Sequence, residues 1–464
     1  MQSRRVRRIG LFAVIAALTV AILTIGCPTL AQDAAVAPQA PAAPASMNPK
    51  NIIVMIADGG GFNQYATGSM YEHGEEANPL YSEFPVQMGM STYPAGGSYQ
   101  PEEAAEDMDY VGSGATDSAA AATAMATGTK TYSGAIGVNE EREPITNATE
   151  AAEAAGKASG VVTSVQIAHA TPAGFVAHEE SRSDYEAIAR DMILDSAVDV
   201  IMGAGHPAYN NDSQPVPEDD RNYAFVGGEQ TWEGLQAGTV GGDANGDGQP
   251  DPWTLVDTLQ GFENLATGHA PDRVLGMAPV ASTLQQRRSG DATAAAYQVP
   301  FTEGVPSLEL MTRGALNVLS HDPDGFFLMV EGGAVDWAGH SNQCGRLIEE
   351  QIAFNQAVAA VVDWVERESS WDDTLLIVTA DHETGYLTGP EARQYCDAPV
   401  CCGKGEMPTV EWHSGSHTNQ LVPFYARGAG AQVFEDAAIG TDPVRGPYVD
   451  NTFIGSIVIS AMQQ

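Results

Sequence analysis

Apolar positions along this chain fall in short unbroken runs, and three of the runs end on an acid. Asn51-Ile52-Ile53-Val54-Met55-Ile56-Ala57 leads into Asp58-Gly59-Gly60-Gly61, Phe326-Phe327-Leu328-Met329-Val330 into Glu331-Gly332-Gly333, and Thr374-Leu375-Leu376-Ile377-Val378-Thr379-Ala380 into Asp381-His382. A continuous apolar run bounded by turn residues reads as a parallel strand buried on both faces. Further strands are predicted at Gly160 to Val165, Val198 to Met202 and Leu421 to Tyr425, and helices near Asp184 to Ser196, at Leu347 to Glu368 and at Phe453 to Met462. Ile348, Ile352, Val358, Val361, Val362 and Val365 give the middle helix one apolar stripe. Runs and helices in alternation predict an α/β fold, with a central, largely parallel sheet flanked by helices on both faces. No internal repeat is present.

Open α/β sheets place ligands at the carboxyl ends of their strands. Three acids there, two of them followed by histidines, are better explained by polyvalent cations than by three separate turns. Asp336 and His340 lie four residues apart, so they converge on a helix, and both suit zinc. Ser118 follows Asp117 and precedes an Ala-rich run through Met125, which reads as a helix with a hydroxyl in its first turn. The free N–H groups and positive dipole end there attract phosphate; an ordinary N-cap is the plainer reading of the tripeptide alone. Arg182 offers a planar fork suited to two phosphate oxygens, or a surface ion pair. Spacing does not choose between His413 and His417.

Composition changes the picture mainly through charge. The formal net charge is −39, and removing a leader with four arginines and no acid leaves −43. Such a surface repels nucleic acid and anionic membranes. Residues 1–31 read as a signal peptide: Arg4, Arg5, Arg7 and Arg8, an apolar run from Leu11 to Gly26, and Thr29-Leu30-Ala31 as the cleavage site. Export to the periplasm or the exterior follows, by a route that Ser3-Arg4-Arg5 leaves open to twin-arginine transport. Ile25-Gly26-Cys27 offers weak lipid anchoring at Cys27. Residues 32–49 form an Ala/Pro-rich spacer, predicted disordered, and 50–464 a single domain without a membrane span.

A Gly/Asp/Pro-rich stretch at about 205–300 reads as a surface insertion. Within it, Asp243-Ala244-Asn245-Gly246-Asp247-Gly248 resembles half of a calcium loop, but Thr254 stands where the closing Glu belongs, so a plain turn is the stronger reading and Ca2+ at Asp243–Asp247 the alternative. Cys344, Cys396, Cys401 and Cys402 permit two disulfides in three connectivities.

Set side by side, these segments resemble the alkaline phosphatase family from about Lys50 to Gly430. The resemblance rests on Thr116-Asp117-Ser118-Ala119-Ala120-Ala121-Ala122-Thr123-Ala124, Thr127-Gly128-Thr129-Lys130-Thr131-Tyr132-Ser133-Gly134-Ala135, His169-Ala170-Thr171-Pro172-Ala173, Glu331-Gly332-Gly333-Ala334-Val335-Asp336, Ala380-Asp381-His382-Glu383-Thr384-Gly385 and His417-Thr418, in the family's order. It implies a phosphomonoesterase of broad specificity in which Ser118 becomes phosphoserine. It implies two zinc ions, one on Asp336, His340 and His417 and one on Asp58, Asp381 and His382, with the Ser118 oxygen also facing metal. A magnesium would lie between Asp58, Thr171 and Glu331. Arg182, with Asp117 beside it, would hold the phosphoryl group, and a homodimer is common in such proteins. His169 and Trp337 stand where some members have Asp, and Lys or His; the resemblance keeps both behind the ligands.

A sulfatase on the same scaffold would show Pro and then Arg shortly after the nucleophile, which Ser118-Ala119-Ala120-Ala121-Ala122 lacks. Diesterase side activity and a calcium-coated, non-catalytic surface protein are the remaining alternatives; the full ligand set argues against the latter.

Overall fold

The computed structural model describes residues 49–244 and 248–463. The signal peptide, nearly all of the spacer, Cys27 and the centre of the Asp243–Asp247 loop therefore lie outside the described residues. An eleven-stranded sheet runs through the chain. Its first eight strands in chain order are β1 (Asn51–Ile56), β2 (Val86–Ser91), β3 (Ala158–Gln166), β4 (Val200–Ala204), β5 (Thr254–Val256), β6 (Val274–Met277), β7 (Phe326–Glu331) and β8 (Thr374–Thr379). From β8 the spatial order is β8, β1, β7, β3, β4, β6, β5, all parallel. On the other side of β8, Val422–Gly428 runs antiparallel to both β8 and β2, and Gly446–Asp450 lies beyond β2. The sheet is mixed but mostly parallel.

Strand periodicity explains why β1 needs apolar residues at every position. Ile52, Val54 and Ile56 join the core on one face, with Ala119, Ala122 and Met125 of the helix Ser118–Thr127 and Ile457 of the helix Thr452–Met462. Ile53 and Met55 join the opposite core, with Leu316, Phe354 and Val358 from the helices Leu308–Leu319 and Cys344–Glu368. At about 25 cal/mol per Å² of apolar surface, burial on both faces is what fixes this strand at the centre.

The 205–300 segment is more than surface decoration. β5 and β6 extend the sheet beyond β4, and Trp232, Trp253 and Phe262 enter the two cores. Its strands are three and four residues long and bounded by Asp and Pro, which leaves too short a run for a strand signal. In the Asp243 loop, Asp243 Oδ2 accepts from the Gly248 amide at 2.9 Å, a turn bond. Cys344, Cys396, Cys401 and Cys402 are all free thiols, so neither permitted disulfide is present. Among the described residues no helix is long and apolar enough to cross a membrane.

A buried ion pair ties the back of the Ser118 helix to the C-terminal segment. Lys130 Nζ lies 3.0 Å from Asp450 Oδ2, donates to Asn451 Oδ1 at 2.6 Å and sits 4.0 Å from the centre of the Tyr93 ring. Burial pulls the Lys130 pKa down, and Asp450 works against that pull. Asp450 also accepts from the Thr452 amide at 3.1 Å, starting the terminal helix. Removing one partner leaves the other buried and unpaired, so Lys130→Met is expected to lower stability by about 3–5 kcal/mol. Urea unfolding of the two proteins measures it; an unchanged midpoint would show that the pair contributes nothing.

Candidate active site

Asp58, Glu331 and Asp381 emerge at the carboxyl ends of β1, β7 and β8, three neighbouring strands of one sheet. β3, beside β7, feeds the turn that carries His169 and Thr171. Asp336 and His340 share the short helix Ala334–His340 that follows β7. His417 arrives from a two-residue strand paired antiparallel with Glu383–Thr384. The site is thus assembled where the strand ends of an α/β sheet leave a crevice.

Two of the histidines have their orientation set by the backbone. His340 Nδ1 lies 2.8 Å from Gly415 O and His417 Nδ1 2.9 Å from Thr116 O. A carbonyl only accepts, so each Nδ1 carries the hydrogen, and a neutral ring then turns an Nε2 lone pair inward. Those two Nε2 atoms face each other at 3.1 Å and lie 3.3 and 3.4 Å from Asp336 Oδ1. Lone pairs meeting at this distance need a positive charge between them. A tetrahedral ion with bonds of about 2.0–2.1 Å has ligand–ligand edges of roughly 3.3 Å, which matches these separations. Burial would raise the Asp336 pKa, but the three histidines around it hold it well below the usual carboxylate range; burial opposes the charge on His417, which Asp336 outweighs, so its pKa rises.

A second set sits deeper. His382 Nε2 lies 3.1 Å from Asp381 Oδ2, 3.5 Å from Asp58 Oδ1 and 3.2 Å from Ser118 Oγ. Burial first, and then His417, keeps the His382 imidazole neutral by driving its pKa well below normal. Asp58 is pushed well above the ordinary value by burial and by Asp381, Asp336 and Glu331; burial lifts Asp381 to about 6, against the Gly59 amide that it accepts.

Asp58, His169 and Glu331 form a further group whose donor atoms lie within 4.8 Å of one another. The sequence reading kept His169 behind the ligands; one of its ring nitrogens lies within that distance of both acids. Burial, then Arg182, drops its pKa to about 3, so it offers a neutral nitrogen. Burial raises Glu331 to about 7, with the Thr163 hydroxyl that it accepts pulling the other way. The Trp337 ring centre lies 5.6 Å from that of His169.

The orphaned atoms test whether cations fit. Asp58 Oδ1 and Oδ2, Asp381 Oδ2, Glu331 Oε1, Thr171 Oγ1 and His169 Nδ1 are all buried without a hydrogen-bond partner. Leaving so many polar atoms unmet in one place is costly unless ions satisfy them. The residues therefore fit bound metal.

Ser118 is the first residue of its helix and is buried; Asp117 caps that helix by accepting from the Ala120 amide at 3.1 Å, and also accepts from Gly134 at 3.0 Å. Its other oxygen receives Arg182 Nη1 at 2.9 Å. Burial works against the Arg182 charge, but Asp117 and then Asp58 keep it protonated, and Arg182 perturbs His169 and His382 in turn. The guanidinium consequently stands at the same crevice as the Ser118 hydroxyl. His413 instead meets Thr388 Oγ1 at 2.7 Å, away from the acids.

Sequence reasoning missed Glu383 and Thr384, although both lie in a quoted segment. Glu383 is buried and accepts from Thr418 Oγ1 at 2.6 Å and the Leu387 amide at 3.0 Å. Thr384 Oγ1 contacts Asp336 and His382. The only available signal was adjacency to Asp381-His382.

Residues 49–407 match the alkaline phosphatase family model. Alkaline phosphatase 4 of Bacillus subtilis is 33% identical over 73% of this chain, which spans 62% of that relative's length. Alkaline phosphatase H of Pseudomonas aeruginosa is 31% identical over 72% of this chain and 69% of its own. The solved alkaline phosphatase of the Antarctic bacterium TAB5 superposes with a TM-score of 0.60 at 27% identity, covering 90% of this chain and 99% of its own.

Asp58 takes part in two of the three donor groups, whereas His340 contacts one. Metal analysis of variants should show this: Asp58→Ala is expected to lose ions from two positions and His340→Ala from one, with affinities at least about 10-fold weaker. Equal losses in the two variants would contradict the arrangement.

Proposed function

The chain belongs to the alkaline phosphatase family and is a phosphatase, and from that premise we propose that it is an exported phosphomonoesterase of broad specificity, working through phosphoserine at Ser118. The observation that carries this reading is the Ser118 hydroxyl, at the start of a helix and 3.2 Å from His382 Nε2, at the same edge as Arg182 and the buried acids.

Asp336, His340 and His417 would hold one zinc, Asp58, Asp381 and His382 the other, and Asp58, Thr171 and Glu331 a magnesium, with His169 beside that third group. Once bound, such ions supply Lewis acidity toward the attacking and leaving oxygens and charge to offset the phosphoryl group. The chain's own residues do the rest. Ser118 Oγ forms a bond to phosphorus as the ester P–O bond breaks and the alcohol leaves with a proton; water then cleaves phosphoserine, restoring the hydroxyl and releasing phosphate. Arg182, held by Asp117, binds phosphoryl oxygens in a fixed orientation, so little reorganisation is needed as charge develops. Recognition limited to the phosphoryl group supports broad monoester use. The Trp337 side chain itself carries no positive charge, which supports weaker retention of product phosphate than a Lys there would give.

Export rests on the leader at residues 1–31, to the periplasm or exterior, and homodimerisation on the family. The net charge of −39 supports small phosphomonoesters, and not nucleic acid, as partners.

Hydrolysis of para-nitrophenyl phosphate at alkaline pH tests the reading. Ser118→Ala is expected to lower kcat by on the order of 10³-fold or more, Arg182→Ala by about 10²-fold, and chelation should abolish turnover until zinc and magnesium are restored. Full activity in Ser118→Ala, or in chelated enzyme, would overturn it.

A further inference from the structure

The histidines that face the crevice do not all have their tautomers set in the same way. His340 and His417 turn Nδ1 to backbone carbonyls, but His382 turns Nδ1 to a side chain, Thr384 Oγ1, at 3.2 Å. The same hydroxyl lies 2.6 Å from Asp336 Oδ1. A hydroxyl has one proton, and a carboxylate can only accept, so the shorter contact takes it. The lone pairs of Oγ1 are then what His382 meets, and Nδ1 must carry hydrogen to bond them. A neutral imidazole protonated at Nδ1 has its free lone pair on Nε2, the atom directed at Ser118, Asp381 and Asp58. In the other tautomer two lone pairs would collide at Thr384, and an N–H would occupy the side where an ion must bind.

Thr384 is also held in place on several sides. Its amide donates to Gly59 O at 3.1 Å, and its backbone pairs with His417 across the two-residue ladder. Gly59 has φ 75°, and a Cβ there would fall 2.8 Å from Thr384 Oγ1 and 2.7 Å from Asp336 Cα. The bare glycine leaves the room in which the hydroxyl reaches both partners.

We propose that Thr384 is a positioning residue that joins the two donor groups: by giving its proton to Asp336 and accepting one from His382, it fixes the tautomer that leaves His382 Nε2 free for metal. This rests on the reading of both groups as metal ligands. Thr384 so makes the orientation of the inner histidine depend on the acid of the outer set. Side chains that hydrogen-bond a metal ligand from behind shift metal affinity by about 10- to 100-fold.

Full-length protein, Thr384→Val and Thr384→Ser separate the hydroxyl from the shape of the side chain. Zinc affinity is measured by competition with a chromogenic chelator, and the His382 tautomer by nitrogen NMR of histidine-labelled, chelated protein. The wild type is expected to show His382 protonated at Nδ1. Thr384→Val should bind zinc about 10- to 100-fold more weakly and populate the Nε2–H tautomer, and Thr384→Ser should recover both properties. Valine binding zinc as tightly as threonine, serine doing no better than valine, or a wild-type His382 protonated at Nε2 would each overturn the proposal. If the wild type took up no zinc, the metal reading would fall, while its His382 tautomer would still decide the role of Thr384.

Discussion

Asp58, Glu331, Asp336 and Asp381 are buried together at one sheet edge, and their mutual repulsion is the constraint on which the rest of the site depends. Burial and neighbouring acids raise the pKa values of Asp58 and Asp381, while histidines hold Asp336 ionised. A carboxylate out of water must be neutralised, paired or bound to a cation. The protein cannot move these groups apart, because each is fixed by the end of a strand or by a helix following one. Parallel register sets Ile56 of β1 against Glu331 of β7 on one side and Thr379 of β8 on the other. The sheet therefore imposes the crowding, and charge compensation has to come from ligands and from Arg182.

The neighbourhood of the crowded acids is organised to keep lone pairs pointing inward. Backbone carbonyls at Thr116 and Gly415 take the outer nitrogens of two histidines, and loops of otherwise irregular sequence are held by Glu383 through Thr418 and Leu387. None of these contacts touches the crevice itself. Their effect is to remove conformations in which an imidazole rotates away, so that less ordering remains to be done when a ligand arrives.

Much of the fold was legible because the central strands are buried on both faces. β1, β7 and β8 have no polar alternation to confuse with a helix, and each ends on a turn rich in glycine or on Asp381-His382. β5 and β6 were not legible: they are too short for any periodicity, and their strand character comes from pairing alongside β4. In the site, Asp58, Glu331 and Asp381 could be singled out because strand ends are geometrically special, and Asp336 with His340 because a helical turn brings them together. Thr384 could not, and His169 stood out only through the resemblance. Their positions depend on how a turn after β3 and a two-residue ladder fold back over the edge, which is long-range information that local patterns do not hold. The choice between His413 and His417 came from the resemblance, since both sit in one irregular loop and only tertiary packing sends the first toward Thr388.

Asp58 is common to the group with Asp381 and His382 and to the group with His169 and Glu331. A shared carboxylate makes the two positions thermodynamically linked. An ion on one side polarises and orients Asp58 and cancels part of the repulsion felt on the other, and whatever factor the first ion applies to the affinity of the second, the second applies to the first. Occupancy of one position is then never independent of occupancy of the other.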